Sequence, residues 1–217
     1  MIRPAFLFDL DGTLLDTAPD FEYCLNQLLH EQKKPPIVLT SLREKVSFGA
    51  KGMLEFGLGL SECHPNFSFF HQKFLALYQT CLGQRTTFFP GVLTILQRLE
   101  ETGLRWGIVT NKPTRFTHAL LEKFPFLQKA DCVVCGDSLS VQKPHAAPLL
   151  HACQQLAILP AHCWYVGDAK TDLEASRAAG MRCAIANYGY IPQAEDPSHW
   201  QADYYLPNIE ALTALLV

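Results

Sequence analysis

The apolar positions of this chain change period twice along its length. Ala5 to Phe8 is a short continuous apolar run that stops abruptly at Asp9 and Asp11, the pattern of a strand buried on both faces. From Phe21 to Leu82 apolar residues recur instead at three- and four-residue intervals. That spacing predicts helices over 21–29, within 40–60 and over 67–82, with breaks at Pro35-Pro36 and His64-Pro65. No run within 18–85 has strand character. Beyond Phe89-Pro90-Gly91, short apolar runs over 104–109, 132–135, 163–166, 182–186 and 203–206 read as strands. They alternate with helical patterns over 92–103, up to about Phe124, and over 148–156, 172–179 and 210–216.

Strands alternating with helices define an α/β domain built on a doubly wound parallel sheet. The helical block lies between the first strand and the rest, so an α/β core over 1–17 and 86–217 is expected to carry an inserted helical cap over 18–85. Phe48 and the Phe67, Phe69, Phe70 and Phe74 group are expected in the core of that cap.

Composition narrows the function classes. The 217 residues carry a net charge of -3, so no basic field favours nucleic acid or an anionic membrane surface. No apolar run approaches the ~18 residues of a membrane span. The start shows no small-residue cleavage site after an apolar stretch, so a cytoplasmic protein is expected. The eight cysteines are scattered, several within apolar runs, and read as reduced core thiols. Cys132 and Cys135 form a C-x-x-C inside a strand, where i and i+3 face opposite ways, which excludes a metal clip. No exposed apolar stripe is evident, and a monomer is expected.

Chemistry concentrates at strand ends. Asp9 and Asp11, spaced i, i+2, project to one side of an extended backbone. Gly12 then permits a tight turn. Two carboxylates held together require a cation, a shared proton, or both. Thr110-Asn111 ends the 104–109 strand, Lys143-Pro144 lies in the loop after the 132–135 strand, and Gly167-Asp168 ends the 163–166 strand. Ligands of open parallel sheets bind outside the carboxyl ends of the strands. Asp9, Asp11 and Asp168 offer hard oxygen ligands suited to Mg2+. Thr110 and Asn111 can donate to an anion, and Lys143 supplies a point charge for phosphate. This set suits phosphoryl transfer.

These residues resemble the motifs of the haloacid dehalogenase superfamily, in its phosphatase branch. The D-x-D-G-T run is Asp9 to Thr13 with Asp16 following, the second motif is Thr110, the third is Lys143, and G-D-x-x-x-D is Gly167 to Asp172. The resemblance implies that Asp9 is the nucleophile and that Asp11 is the acid and then the base. It implies that Asp9, the Asp11 backbone carbonyl and Asp168 hold Mg2+, with Asp172 supporting them. Thr110 and Lys143 would bind phosphate. The helical insertion resembles the caps of phosphoglycolate phosphatase and β-phosphoglucomutase relatives.

The implied substrate is a small phosphorylated metabolite, 2-phosphoglycolate first, with N-acetylmuramic acid 6-phosphate as the alternative and a sugar-phosphate mutase third. Tyr188 to Pro192, with Pro197 and Trp200, is similar to both phosphatase groups, whereas Thr110 to Pro113 with Arg115-Phe116 is closer to the muramic group. Both substrates add a carboxylate, for which Arg43 and Lys51, beside Gly49 and Gly52, are the candidate contacts. Asp9 and Asp11 together argue against a binding module or a receiver domain, neither of which needs an acid beside the nucleophile.

Overall fold

A computed structural model describes residues 3–216. In chain order the elements are β1 (Ala5–Phe8), β2 (Leu15–Asp16), α1 (Ala18–Glu31), α2 (Leu39–Arg43), α3 (Gly49–Leu58), α4 (Phe67–Cys81), β3 (Thr87–Phe88), α5 (Val92–Thr102), β4 (Trp106–Val109), α6 (Thr114–Lys123), β5 (Cys132–Val134), α7 (Ala147–Gln155), β6 (Cys163–Gly167), α8 (Lys170–Ala178), β7 (Arg182–Ala186) and β8 (Tyr204–Leu206). The chain divides into two compact units, Met1–Leu15 with Phe88–Val217, and Asp16–Thr87.

The first unit is α/β. Six strands pair in the order β5-β4-β1-β6-β7-β8, and every pairing is parallel. The chain builds outward from β1 in one direction through β4 and β5, then returns to build the other side through β6, β7 and β8. Strand order therefore reverses at β1, and the carboxyl end of β1 lies at the switch point where such sheets open a crevice. All residues of β1, β4 and β6 are buried, as helices on both faces require. Leu7, Val109, Val134, Leu149 and Tyr165 pack in one layer of the core, with Leu173, Ile185 and Trp200 in another.

Register aligns the strand ends. Phe8 lies beside both Ile108 and Val166. The Asp9 amide then donates to the Val166 carbonyl at 2.8 Å, and the Thr110 amide to the Val134 carbonyl at 2.9 Å. The polar residue that follows each apolar run thus arrives at the same sheet edge.

The second unit is helical, and α1 and α4 form its centre. Phe21 stacks on Tyr78 at 4.3 Å and on Phe74 at 6.2 Å. Asp20 is fully buried and accepts from the Gly83 amide at 2.6 Å, the Arg85 amide at 2.8 Å and the Thr86 hydroxyl at 2.6 Å. Three donors from one returning segment satisfy its charge, as a buried carboxylate requires.

Several expectations change here. Cys24 and Cys81 form a disulfide rather than remaining thiols, and the other six cysteines are free. The two lie 57 residues apart on α1 and α4, and the stacked aromatics bring those helices together, which spacing along the chain does not reveal. Phe48 is 62% exposed and Phe69 64% exposed; of the phenylalanine group only Phe74 is buried, because α4 turns its Phe69 side outward. The paired two-residue strands β2 and β3 are too short for any period to register. The closing segment is a 3-10 helix, Ile209–Leu215. Among the described residues no helix is long and apolar enough to cross a membrane.

Replacing Asp20 with alanine leaves three donors without their acceptor. It is expected to lower stability by about 3 kcal/mol, read from urea denaturation; a loss below about 1 kcal/mol would show that this hub does not hold the helical unit together.

Candidate active site

Asp9 leaves β1 at the switch point, Asp168 leaves β6 beside it, and Asp172 sits in the first turn of α8. Their carboxylate oxygens lie within 4.8 Å of one another, and this is the group among the described residues that could hold a metal ion. Local structure explains each position. A Cβ at Gly12, where φ is +83°, would overlap the Asp168 carboxylate, and a Cβ at Gly189 would overlap its Cβ; glycine lets both backbones close around that acid. The Tyr190 amide donates to Asp168 at 2.6 Å and the Thr13 hydroxyl at 3.3 Å. Asp172 reaches back to accept from the Ala169 amide at 2.9 Å, as an acid in the third helical position does.

Lys143 neutralises part of this charge. Its ammonium lies 3.0 Å from Asp9 and 2.7 Å from Asp172, with its side chain 2% exposed. It also donates to the Tyr165 hydroxyl at 2.7 Å, which in turn donates to the Val109 carbonyl at 2.7 Å. The Lys143 main chain is held by Asn111, whose amide nitrogen donates to its carbonyl at 2.9 Å and whose oxygen accepts from its amide at 3.0 Å. The Lys143-Pro144 peptide is cis.

Burial dominates the electrostatics. It pushes the Asp9 carboxyl up to about 6, with Lys143 opposing and Asp172 and Asp11 adding repulsion. It holds Asp168 well above the usual carboxylate range, with Asp172 and Asp9 reinforcing the effect. Burial alone would lower the Lys143 ammonium, but the attraction of Asp172 and Asp9 more than offsets this and leaves it raised. A cluster that resists ionising by itself is one that a divalent cation would complete.

The structure thus brings Asp9, Asp11, Thr110, Asn111, Lys143, Asp168 and Asp172 to one sheet edge. Asn111 uses both ends of its side-chain amide on Lys143, and Thr110 accepts from the Lys112 amide at 3.2 Å. Arg43 and Lys51 belong to the helical unit, where Arg43 pairs with Asp16 and Lys51 with Glu62 at 2.9 Å. Two site residues escaped the sequence reading. Tyr165 carried a signal: a hydroxyl in an otherwise apolar strand needs a buried partner. Lys112, whose ammonium lies on the Asp11 carboxylate at 3.0 Å, carried only its adjacency to Thr110 and Asn111.

The match to known proteins follows the same residues. A family model for haloacid dehalogenase-like hydrolases matches residues 6–186, and the chain belongs to that family. Its relatives by sequence include phosphatases. A phosphoglycolate phosphatase from Xanthomonas campestris pv. campestris is 41% identical over 92% of this chain and 90% of its own length. An N-acetylmuramic acid 6-phosphate phosphatase from Pseudomonas aeruginosa is 37% identical over 98% and 94%. Among solved structures, a haloacid dehalogenase-like hydrolase from Streptococcus pneumoniae superposes with a TM-score of 0.82 at 23% identity, covering 98% of both chains, and so shares the fold.

Because Asp9 and Asp168 titrate higher in the folded chain than in an unfolded one, the fold retains protons that the unfolded chain gives up. Their contribution is therefore present at low pH and is lost as pH rises through the folded values. The melting temperature of metal-free protein is expected to fall between pH 5 and 7, and added divalent cation to raise it more at pH 7 than at pH 5. A flat profile with equal cation effects would show that these acids are not desolvated.

Proposed function

We propose that this enzyme is a Mg2+-dependent phosphatase that hydrolyses small phosphate monoesters bearing a carboxylate, 2-phosphoglycolate first, through an aspartyl-phosphate intermediate. One observation carries the reading: a carboxylate at a switch point is held between a buried lysine and further acids, with a second acid two residues along. Carboxylate and ammonium alternate there as a phosphoryl group and its counter-charges require.

In the first step an Asp9 oxygen attacks phosphorus, the bond to the leaving oxygen breaks, and Asp11 gives that oxygen its proton. Thr110 and Lys143 bind the equatorial oxygens. In the second step Asp11 takes a proton from water as it attacks the same phosphorus. Inorganic phosphate leaves and Asp9 is regenerated. Asp9, Asp168 and the backbone carbonyl of Asp11 would hold Mg2+, with Asp172 supporting them. When bound, the ion neutralises developing phosphoryl charge. Tyr165 and Asn111 keep Lys143 aimed at the anion.

The helical unit is the cap that selects the ester, and Arg43 and Lys51 are its groups for a substrate carboxylate. The alternative substrate is N-acetylmuramic acid 6-phosphate, favoured by the Pseudomonas relative, which matches 98% of this chain.

Asp9→Asn is expected to remove turnover of p-nitrophenyl phosphate with the circular dichroism spectrum unchanged; retained turnover would overturn the nucleophile. Lys51→Ala is expected to raise KM for phosphoglycolate more than for p-nitrophenyl phosphate, and equal effects would remove its carboxylate role. Comparison of kcat/KM for phosphoglycolate and N-acetylmuramic acid 6-phosphate decides the substrate: the proposal requires the larger value for phosphoglycolate.

A further inference from the structure

Lys112 stands on the corner between β4 and α6. Its side chain is 3% exposed, whereas that of Asp11 is 19% exposed. Its ammonium contacts both Asp11 oxygens, at 3.1 and 3.0 Å, across 101 residues of sequence. An ammonium buried this far needs a carboxylate partner to offset its lost hydration. The pair also fixes the carboxylate, since a donor shared by both oxygens resists rotation about the Asp11 side-chain bonds.

The other end of Lys112 is equally constrained. Its amide donates to the Thr110 hydroxyl at 3.2 Å. Its carbonyl accepts from the Gly136 amide at 3.0 Å and from the Thr117 hydroxyl at 3.2 Å. Gly136 belongs there because any Cβ would overlap the Asn111 carbonyl. The mount beneath the ammonium is therefore tied to β4, to α6 and to the loop after β5 together.

We propose that Lys112 is a positioning residue for Asp11. It holds that carboxyl at a set place relative to Thr110, so that the proton-transfer group and the phosphate-binding hydroxyl keep one geometry. This rests on the reading of Asp11 as the acid of the first step. General acid catalysis matters only where the leaving oxygen needs a proton. Lys112 therefore governs alkyl esters, whose alkoxides are poor leaving groups, far more than aryl esters, whose phenolates leave unprotonated. A lysine that merely stabilised the fold would affect both alike.

The experiment measures the first-turnover rate of leaving-group release by rapid quench, for an alkyl ester (phosphoglycolate) and for p-nitrophenyl phosphate. It compares wild type, Lys112→Met, Lys112→Arg, Asp11→Asn and the Lys112→Met/Asp11→Asn double variant, all checked by circular dichroism. Lys112→Met is expected to lose roughly 100-fold on the alkyl ester, the lower end of the range for general acid catalysis, and at least tenfold less on the aryl ester. Lys112→Arg is expected to fall between Lys112→Met and wild type. The double variant is expected to be no slower on the alkyl ester than Asp11→Asn, since coupled residues do not add. If Asp11→Asn discriminates between the esters while Lys112→Met slows both equally, or if the losses add, the role of Lys112 is refuted and the acid reading stands. If Asp11→Asn itself fails to discriminate, the acid reading falls and takes this inference with it. Should Lys112→Met fail to fold, Lys112→Gln supplies the same comparison.

Discussion

Three carboxylates gathered at one edge of a parallel sheet set the terms for the rest of the core. Unit charges roughly 4 Å apart in a medium of effective dielectric about 20 repel by about 4 kcal/mol, a large share of the 5–15 kcal/mol by which a domain is stable. The fold answers with a buried ammonium on Asp9 and Asp172, with backbone amides on Asp168 and Asp172, and with burial that raises the proton affinity of Asp9 and Asp168. What is left over is a site that the proposed cation and phosphoryl group would complete. Stability has been given up where the proposed chemistry needs charge.

The same constraint explains the strand ends. A residue that follows a fully buried strand is the first to leave the apolar layer, so Asp9, Thr110 and Asp168 are polar where the last strand residues Phe8, Val109 and Gly167 are not. Reversal of strand order at β1 then prevents the flanking connections from covering that edge. The glycines close the arrangement: Gly12 and Gly189 allow two loops to come against Asp168, which side chains at either place would prevent.

Much of this was legible along the chain because the signals are local. The change of apolar period from two-sided runs to helical spacing marked the strands and helices of the α/β unit, and the i, i+2 aspartates marked its opening strand end. The family resemblance supplied the expected partners of those acids. The unread features lack a local period. Paired strands of two residues contain no repeat, and the turn of α4 that exposes Phe69 depends on where α1 lies. The Cys24–Cys81 disulfide joins helices whose closeness is set by Phe21, Phe74 and Tyr78.

By itself the sequence determined the α/β alternation, the family and the acids and lysine proposed to carry its chemistry, because each is written in residue type and in spacing of a few positions. Tertiary structure alone decided how those groups are engaged. Lys112 meets Asp11 across 101 residues, Asn111 holds Lys143 across 32, and Tyr165 bridges Lys143 to Val109 inside the core. Such contacts arise from strand order and register, and a buried charge accepts whichever partner that packing brings within hydrogen-bond reach.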